Sequence, residues 1–148
     1  MIIARETTSN KFIGVLRIML GIMFLMPGMM KLILPDYGEA WSIQLVEANI
    51  PLYTFIYWFV PFFEVVLGLF LLLGHYSRIS ALLTLPIMLV AIYVHLTVIN
   101  PGAFPSQPQE PYAPIAVIMM AIVIIIKGGG AWSMDLKHQK YMIRSFLT

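Results

Sequence analysis

Four apolar runs constrain this chain more than any other feature. They cover Phe12 to Leu34, Leu52 to Leu73, Ala81 to Ile99 and Ala113 to Ile126, the last followed by Lys127. A helix needs roughly 20 apolar residues to cross a bilayer. The first three runs meet that length, and the fourth reaches it by extension at both ends, with Lys127 snorkelling to the interface. The first run is too long, and lacks the small-residue cleavage site, for a removable signal peptide. Composition agrees, with 60% of the 148 residues apolar and only 11% charged. A soluble domain carries about 25% charged residues. A disordered chain lacks this hydrophobicity. A nucleic-acid binder gathers its basic residues on one solvated face, and the nine here are spread along the chain. With no cysteine, disulfides, thiolate metal sites, iron–sulfur clusters and thiol relays are excluded.

Loop charge sets the expected orientation. Arg5, Lys11, Arg17, Arg78, Lys127, Lys137, Lys140 and Arg144 fall on one side, and Lys31 alone falls near the other, with Asp36, Glu39, Glu47 and Glu110. The positive-inside rule then places both termini in the cytoplasm. The expectation is an all-α fold: a single integral membrane domain, residues 1–148, built as a four-helix up-down bundle. Its spans are about 12–34, 52–73, 81–99 and 113–127, with a short basic cytoplasmic tail, 131–148. Its home is the inner (cytoplasmic) membrane. Tyr37, Trp41, Tyr53, Tyr112 and Trp132 fall where an aromatic belt is expected. Between the first two spans, Trp41, Leu45 and Ala48 recur at helical spacing, so Asp36 to Ile50 reads as a short interfacial helix. The outer loop Asn100 to Tyr112 is proline-rich and reads as extended. The tail is expected to lie on the membrane surface or against a partner.

Charge inside a bilayer is costly, so the functional candidates are few. They are Arg17, Lys31, Glu64 and His95. Gly14, Gly21 and Gly28 recur every seven residues, each followed three positions later by Arg17, Phe24 and Lys31. This is a seam that lets helices approach closely and turns both cations inward. Tyr53, Tyr57, Glu64 and Gly68 share one face of the second span, and Thr84, Met88, Ala91 and His95 one face of the third. At 1.5 Å per residue, Arg17 lies ~8 Å and Glu64 ~14 Å from the inner ends of their runs. An Arg17–Glu64 ion pair in the inner half is therefore expected, with Lys31 and His95 together in the outer half. Arg17 and Glu64 read equally as a register-fixing pair or as the lining of a polar site. Lys31 reads as a snorkelling side chain or a ligand contact, and His95 as a packing residue or a proton donor. His75 and His138 lie at the opposite side, so bis-histidine haem ligation within the chain is not expected. No metal site is expected. The aromatic run Tyr53 to Phe63 reads mainly as lipid-facing bulk. Pro27, Pro61 and Pro86 are expected to kink three spans, with or without a cavity between them. Gly128 to Gly130 reads as the flexible exit of the fourth span.

The order of these elements resembles the DoxX family of small four-helix membrane proteins. The likeness is carried by Leu16-Arg17-x3-Gly21-x2-Phe24-x3-Gly28-x2-Lys31-Leu32, by Pro61-x2-Glu64-x3-Gly68 continuing to Gly74, and by Ser77-Arg78. His95 and the close Gly130-Ala-Trp132-Ser133-x-Asp135 complete it. The resemblance implies a membrane subunit, since some relatives belong to thiosulfate:quinone oxidoreductases and others to oxidative-stress complexes. It suggests an accessory subunit of a respiratory or redox membrane complex, with no intrinsic cofactor and with other membrane-protein subunits as partners. A quinone or lipid would meet Lys31, His95 and Tyr57. The alternative is a scaffold subunit with no ligand of its own. A carrier ranks below both, because no inverted repeat is present.

Overall fold

The computed structural model describes residues 5–98 and 111–147. The proline-rich loop through Pro101, Pro105 and Pro108 lies outside them. Among the described residues there are six helices and no strand. They are α1 (Lys11–Ile33), α2 (Pro35–Glu47), α3 (Tyr53–Leu73), α4 (Ser77–Thr97), α5 (Tyr112–Lys127) and α6 (Met134–Leu147). Three of them, α1, α3 and α4, are long and apolar enough to cross a membrane, and α5 is a shorter apolar helix. The chain is a multi-pass membrane protein.

Local chemistry sets the helix ends. Asn10 caps α1, its side-chain oxygen accepting from the Phe12 and Ile13 amides at 2.8 and 3.4 Å. The helix stops at Leu34, which is extended, because a residue before proline is driven out of the helical region. Pro35 then opens α2 at the one position where a missing N–H costs nothing. The end of α3 is a Schellman turn. Gly74 has φ +66°, its amide donates to Leu71 O, and the His75 amide donates to Phe70 O. Pro27, Pro61 and Pro86 all sit inside uninterrupted helices. Freed backbone groups in membrane helices are re-satisfied by their neighbours.

The tightest packing joins α1 to α3, which run antiparallel. Gly21 faces Gly68 and Leu72, and Gly28 faces Pro61 and Glu64. A Cβ on Gly68 would sit 2.6 Å from the Leu25 amide nitrogen, so the backbones touch where the glycine seam is. α5 packs on α4 and α1, and α4 returns to α3. Leu20, Phe24, Leu67, Leu71, Ala81, Val117, Ala121 and Ile124 fill the space between the four. Outward, large apolar side chains such as Phe12, Trp58, Leu89 and Ile126 are exposed, as a lipid-facing surface requires.

α2 folds back over one end of this core. Trp41, Leu45 and Ala48 are buried, so the helical spacing seen in the sequence is the face that packs on α1, α3 and α4. Trp41 therefore faces inward, in contrast to the belt position expected for it. Gly68→Val forces the α1–α3 backbones apart. It should destabilise the protein by about 2 kcal/mol or more. Leu69→Val, on the exposed face beside it, should leave the unfolding midpoint in mild detergent nearly unchanged.

Candidate functional site

The buried charges gather at two places, one at each end of α1. Arg17 and Lys31 are about 21 Å apart along the helix axis at 1.5 Å per residue.

At the Lys31 end, the ammonium donates to both oxygens of Glu64 at 2.9 Å. The side chains are only 13% and 7% exposed. The ring of Trp41 lies over the ammonium at 4.5 Å, a cation–π contact that gains strength out of water. Trp41 is held in turn, because its Nε1–H donates to the Tyr57 carbonyl at 3.3 Å. Gly38 lets α2 approach closely. A Cβ there would lie 3.2 Å from Lys31 O and 3.3 Å from the Tyr57 hydroxyl. The Tyr93 hydroxyl donates to Ala48 O at 3.2 Å and ties α4 to the end of α2.

At the other end Arg17 is fully buried. Its Nε donates to Gly129 O at 2.7 Å, Nη1 to Leu71 O and to Leu72 O at 2.7 Å, and Nη2 to Ala131 O at 3.4 Å. Leu71 and Leu72 belong to the last turn of α3, where helical carbonyls lack intrahelical partners and carry partial negative charge. The segment after α5 supplies the rest. Gly74, Gly129 and Gly130 have no room for a side chain, because a Cβ on them would strike Ser133, Ser77 and Gly14 respectively. Asp135 closes the node. Its carboxylate accepts from the Tyr76 amide at 2.9 Å and from the Ser77 amide and hydroxyl at 2.8 Å. It thus caps α4, whose own N-cap residue makes no side-chain bond. Ser133 caps α6 through the Leu136 amide at 3.1 Å.

These contacts correct two pairings. Glu64 meets Lys31 and not Arg17, which is held instead by four backbone carbonyls. The reason is register. The glycine contacts set Gly28 opposite Glu64 and Gly21 opposite Leu72, so Arg17 stands at the very end of α3. The expected Lys31–His95 pair is also absent from the described residues. His95 Nδ1 bonds Ala91 O of its own helix at 2.8 Å. Lys31 does not snorkel outward. Gly128 to Gly130 are buried, Gly128 against Glu6 and Thr7, Gly129 against Ser77 and Ser133, and Gly130 against the start of α1, and are not a flexible exit. Trp41, Asp135, Ser77 and the carbonyls of Gly129 and Ala131 were missed. Orphan carbonyls at a helix end near a buried arginine are the signal that finds part of this set.

Beside the Lys31 node lies an open groove of about 490 Å³, lined by Leu32, Thr54, Phe55, Trp58, Phe59 and Phe62. Phe55 stacks on Phe59, and Phe59 on Phe63, at 4.9 and 5.1 Å between ring centroids. Tyr57 stands next to the groove, stacked on Tyr53 and edge-on to Trp58. Among the described residues no group of three or more His, Cys, Asp or Glu side chains could hold a metal ion.

Lys31→Met strands the Glu64 carboxylate and should cost about 3–5 kcal/mol of unfolding free energy. The double variant Lys31→Met/Glu64→Leu should recover most of that loss. Asp135→Ala uncaps α4 and should cost about 1–2 kcal/mol. Unfolding in detergent micelles measures all three.

The DoxX family model matches residues 12–97, which run from the start of α1 to the end of α4 and include Arg17, Lys31, Glu64 and His95. No curated protein and no solved structure matches the chain. The match covers more than half of the 148 residues. The chain belongs to the DoxX family of integral membrane proteins.

Proposed function

We propose that this protein is an accessory subunit of a redox-linked membrane complex. In this reading its four apolar helices cross the inner membrane as an up-down bundle, with both termini in the cytoplasm, and it docks other membrane-protein subunits. The charge bias of the loops supports that orientation. The groove beside Lys31 supports a quinone or lipid as ligand, because stacked aromatic rings suit a flat ring and an apolar tail. Lys31 and Tyr57 flank the groove through Leu32 and Trp58. His95, which bonds Ala91 O of its own helix and does not line the groove, enters this reading from the family resemblance as a further polar contact. The protein supplies binding and orientation, while the redox chemistry belongs to the quinone and a partner.

The scaffold reading has its own support. Each intramembrane cation already has partners within the chain: Lys31 holds Glu64, and Arg17 gives four of its five N–H groups to carbonyls. Such locks hold a shape without needing a ligand.

Binding and co-migration separate the readings. Protein solubilised in mild detergent from its native membrane should run within a larger complex carrying a redox centre. A short-chain quinone analogue should quench its tryptophan fluorescence saturably. Phe59→Ala should weaken that binding about tenfold, equivalent to some 1.4 kcal/mol. His95→Ala and the double variant Lys31→Met/Glu64→Leu, which leaves no stranded carboxylate, should weaken it too, with elution profile and unfolding midpoint as fold controls. Co-migration without saturable quenching favours the scaffold. Migration alone without quenching rejects the accessory role.

A further inference from the structure

α6 is the one helix whose chemistry neither the core nor the two nodes absorb. Its first half is tied down. Ser133 and Asp135 anchor its start, and Gln139 accepts from the Thr7 amide at 3.2 Å. From Lys140 to Ser145 every residue is exposed, including Tyr141 at 72% and Ile143 at 55%. At 100° per residue, Leu136, Met142 and Ile143 lie on one side, and Lys137, Lys140 and Arg144 form a stripe bordering it. Asp135 is the only carboxylate of α6, and it is buried against the start of α4. Every formal charge on the exposed length of the helix is therefore positive.

We propose that α6 is an interfacial helix that binds the anionic lipid headgroups of the leaflet on the Arg17 side. Three features select a lipid surface. The anchoring bonds place the start of α6 level with the first turn of α1, the α3–α4 turn and the exit of α5, which is where these helices leave the hydrocarbon. Lys11, Arg78 and Lys127 stand at the same end of the helices, so the stripe extends a basic rim. An apolar face bordered by lysines and arginines also matches the layered chemistry of an interface, with acyl chains below and phosphates beside. The anionic headgroups neutralise the stripe while Met142 and Ile143 enter the acyl boundary.

The absence of cysteine makes the test clean. Ile143→Cys and Ser145→Cys, on opposite sides of the helix, each take an environment-sensitive fluorophore. Each full-length labelled protein is reconstituted in phosphatidylcholine vesicles, with and without phosphatidylglycerol. In anionic vesicles the label at 143 should shift to the blue, and iodide should quench it about twofold less than the label at 145. High salt, or Lys137→Glu with Lys140→Glu, should abolish the difference. Circular dichroism and elution profile serve as fold controls. Equal quenching at 143 and 145 in anionic vesicles overturns the proposal and points to a protein partner for this face. Equal shielding in both lipids overturns the requirement for anionic headgroups.

Discussion

A guanidinium with five N–H donors and no water is the constraint on which one half of this structure depends. Arg17 is fully buried and stands nearly two turns into a membrane helix. The last turn of α3 offers it two carbonyls, from Leu71 and Leu72. That leaves Nε and Nη2 without acceptors. The chain answers by returning the segment after α5 to the same point, where Gly129 O and Ala131 O accept. The return then dictates its own sequence. Gly74, Gly129 and Gly130 are small because backbone or side-chain atoms occupy the space a Cβ needs. Asp135, carried in by the return, caps α4. One cation thus ties α1, α3, α4 and the exit of α5 together.

The opposite end meets the same constraint with different chemistry. Lysine is a compact point charge, and a carboxylate on the facing helix answers it directly. Glu64 holds Lys31 at 2.9 Å, and Trp41 covers it. The result is a neutral pair roofed by α2. Arginine suits the other end because its fork spans several carbonyls at once, whereas lysine suits a single carboxylate. The two nodes are therefore not interchangeable, although both cations lie on one glycine seam.

Much of this was legible in the residues. Helices α1, α3 and α4 coincide closely with long apolar runs, and Gly21 and Gly28 lie on α3 as their spacing indicates. Trp41, Leu45 and Ala48 announced the buried face of α2. The pairing of charges was less legible, because side-chain spacing carries no record of backbone acceptors or of helix register. Arg17 seemed to need Glu64 only because the sequence shows carboxylates and hides carbonyls. Gly128 to Gly130 seemed loose because glycine looks alike whether it serves freedom or close approach. His95 lay on the expected face of α4, yet its nearest acceptor was the Ala91 carbonyl one turn earlier.

The boundary of the family match adds a final consequence. Residues 12–97 contain Arg17, Leu71, Leu72 and Gly74, but not Gly129, Ala131 or Asp135. Taken alone they hold the guanidinium with half of its carbonyls and leave the start of α4 uncapped. A buried charged group with missing partners costs several kcal/mol, which is comparable to the whole stability of a small domain. The matched region is thus not a self-sufficient unit. The lock that completes it arrives through α5 and the turn beyond it, and it also fixes the direction in which α6 leaves the helices. Rigidity at the Arg17 end and the placement of the basic helix therefore both run through residues 129–135, the first by the carbonyls of Gly129 and Ala131 and the second by Ser133 and Asp135.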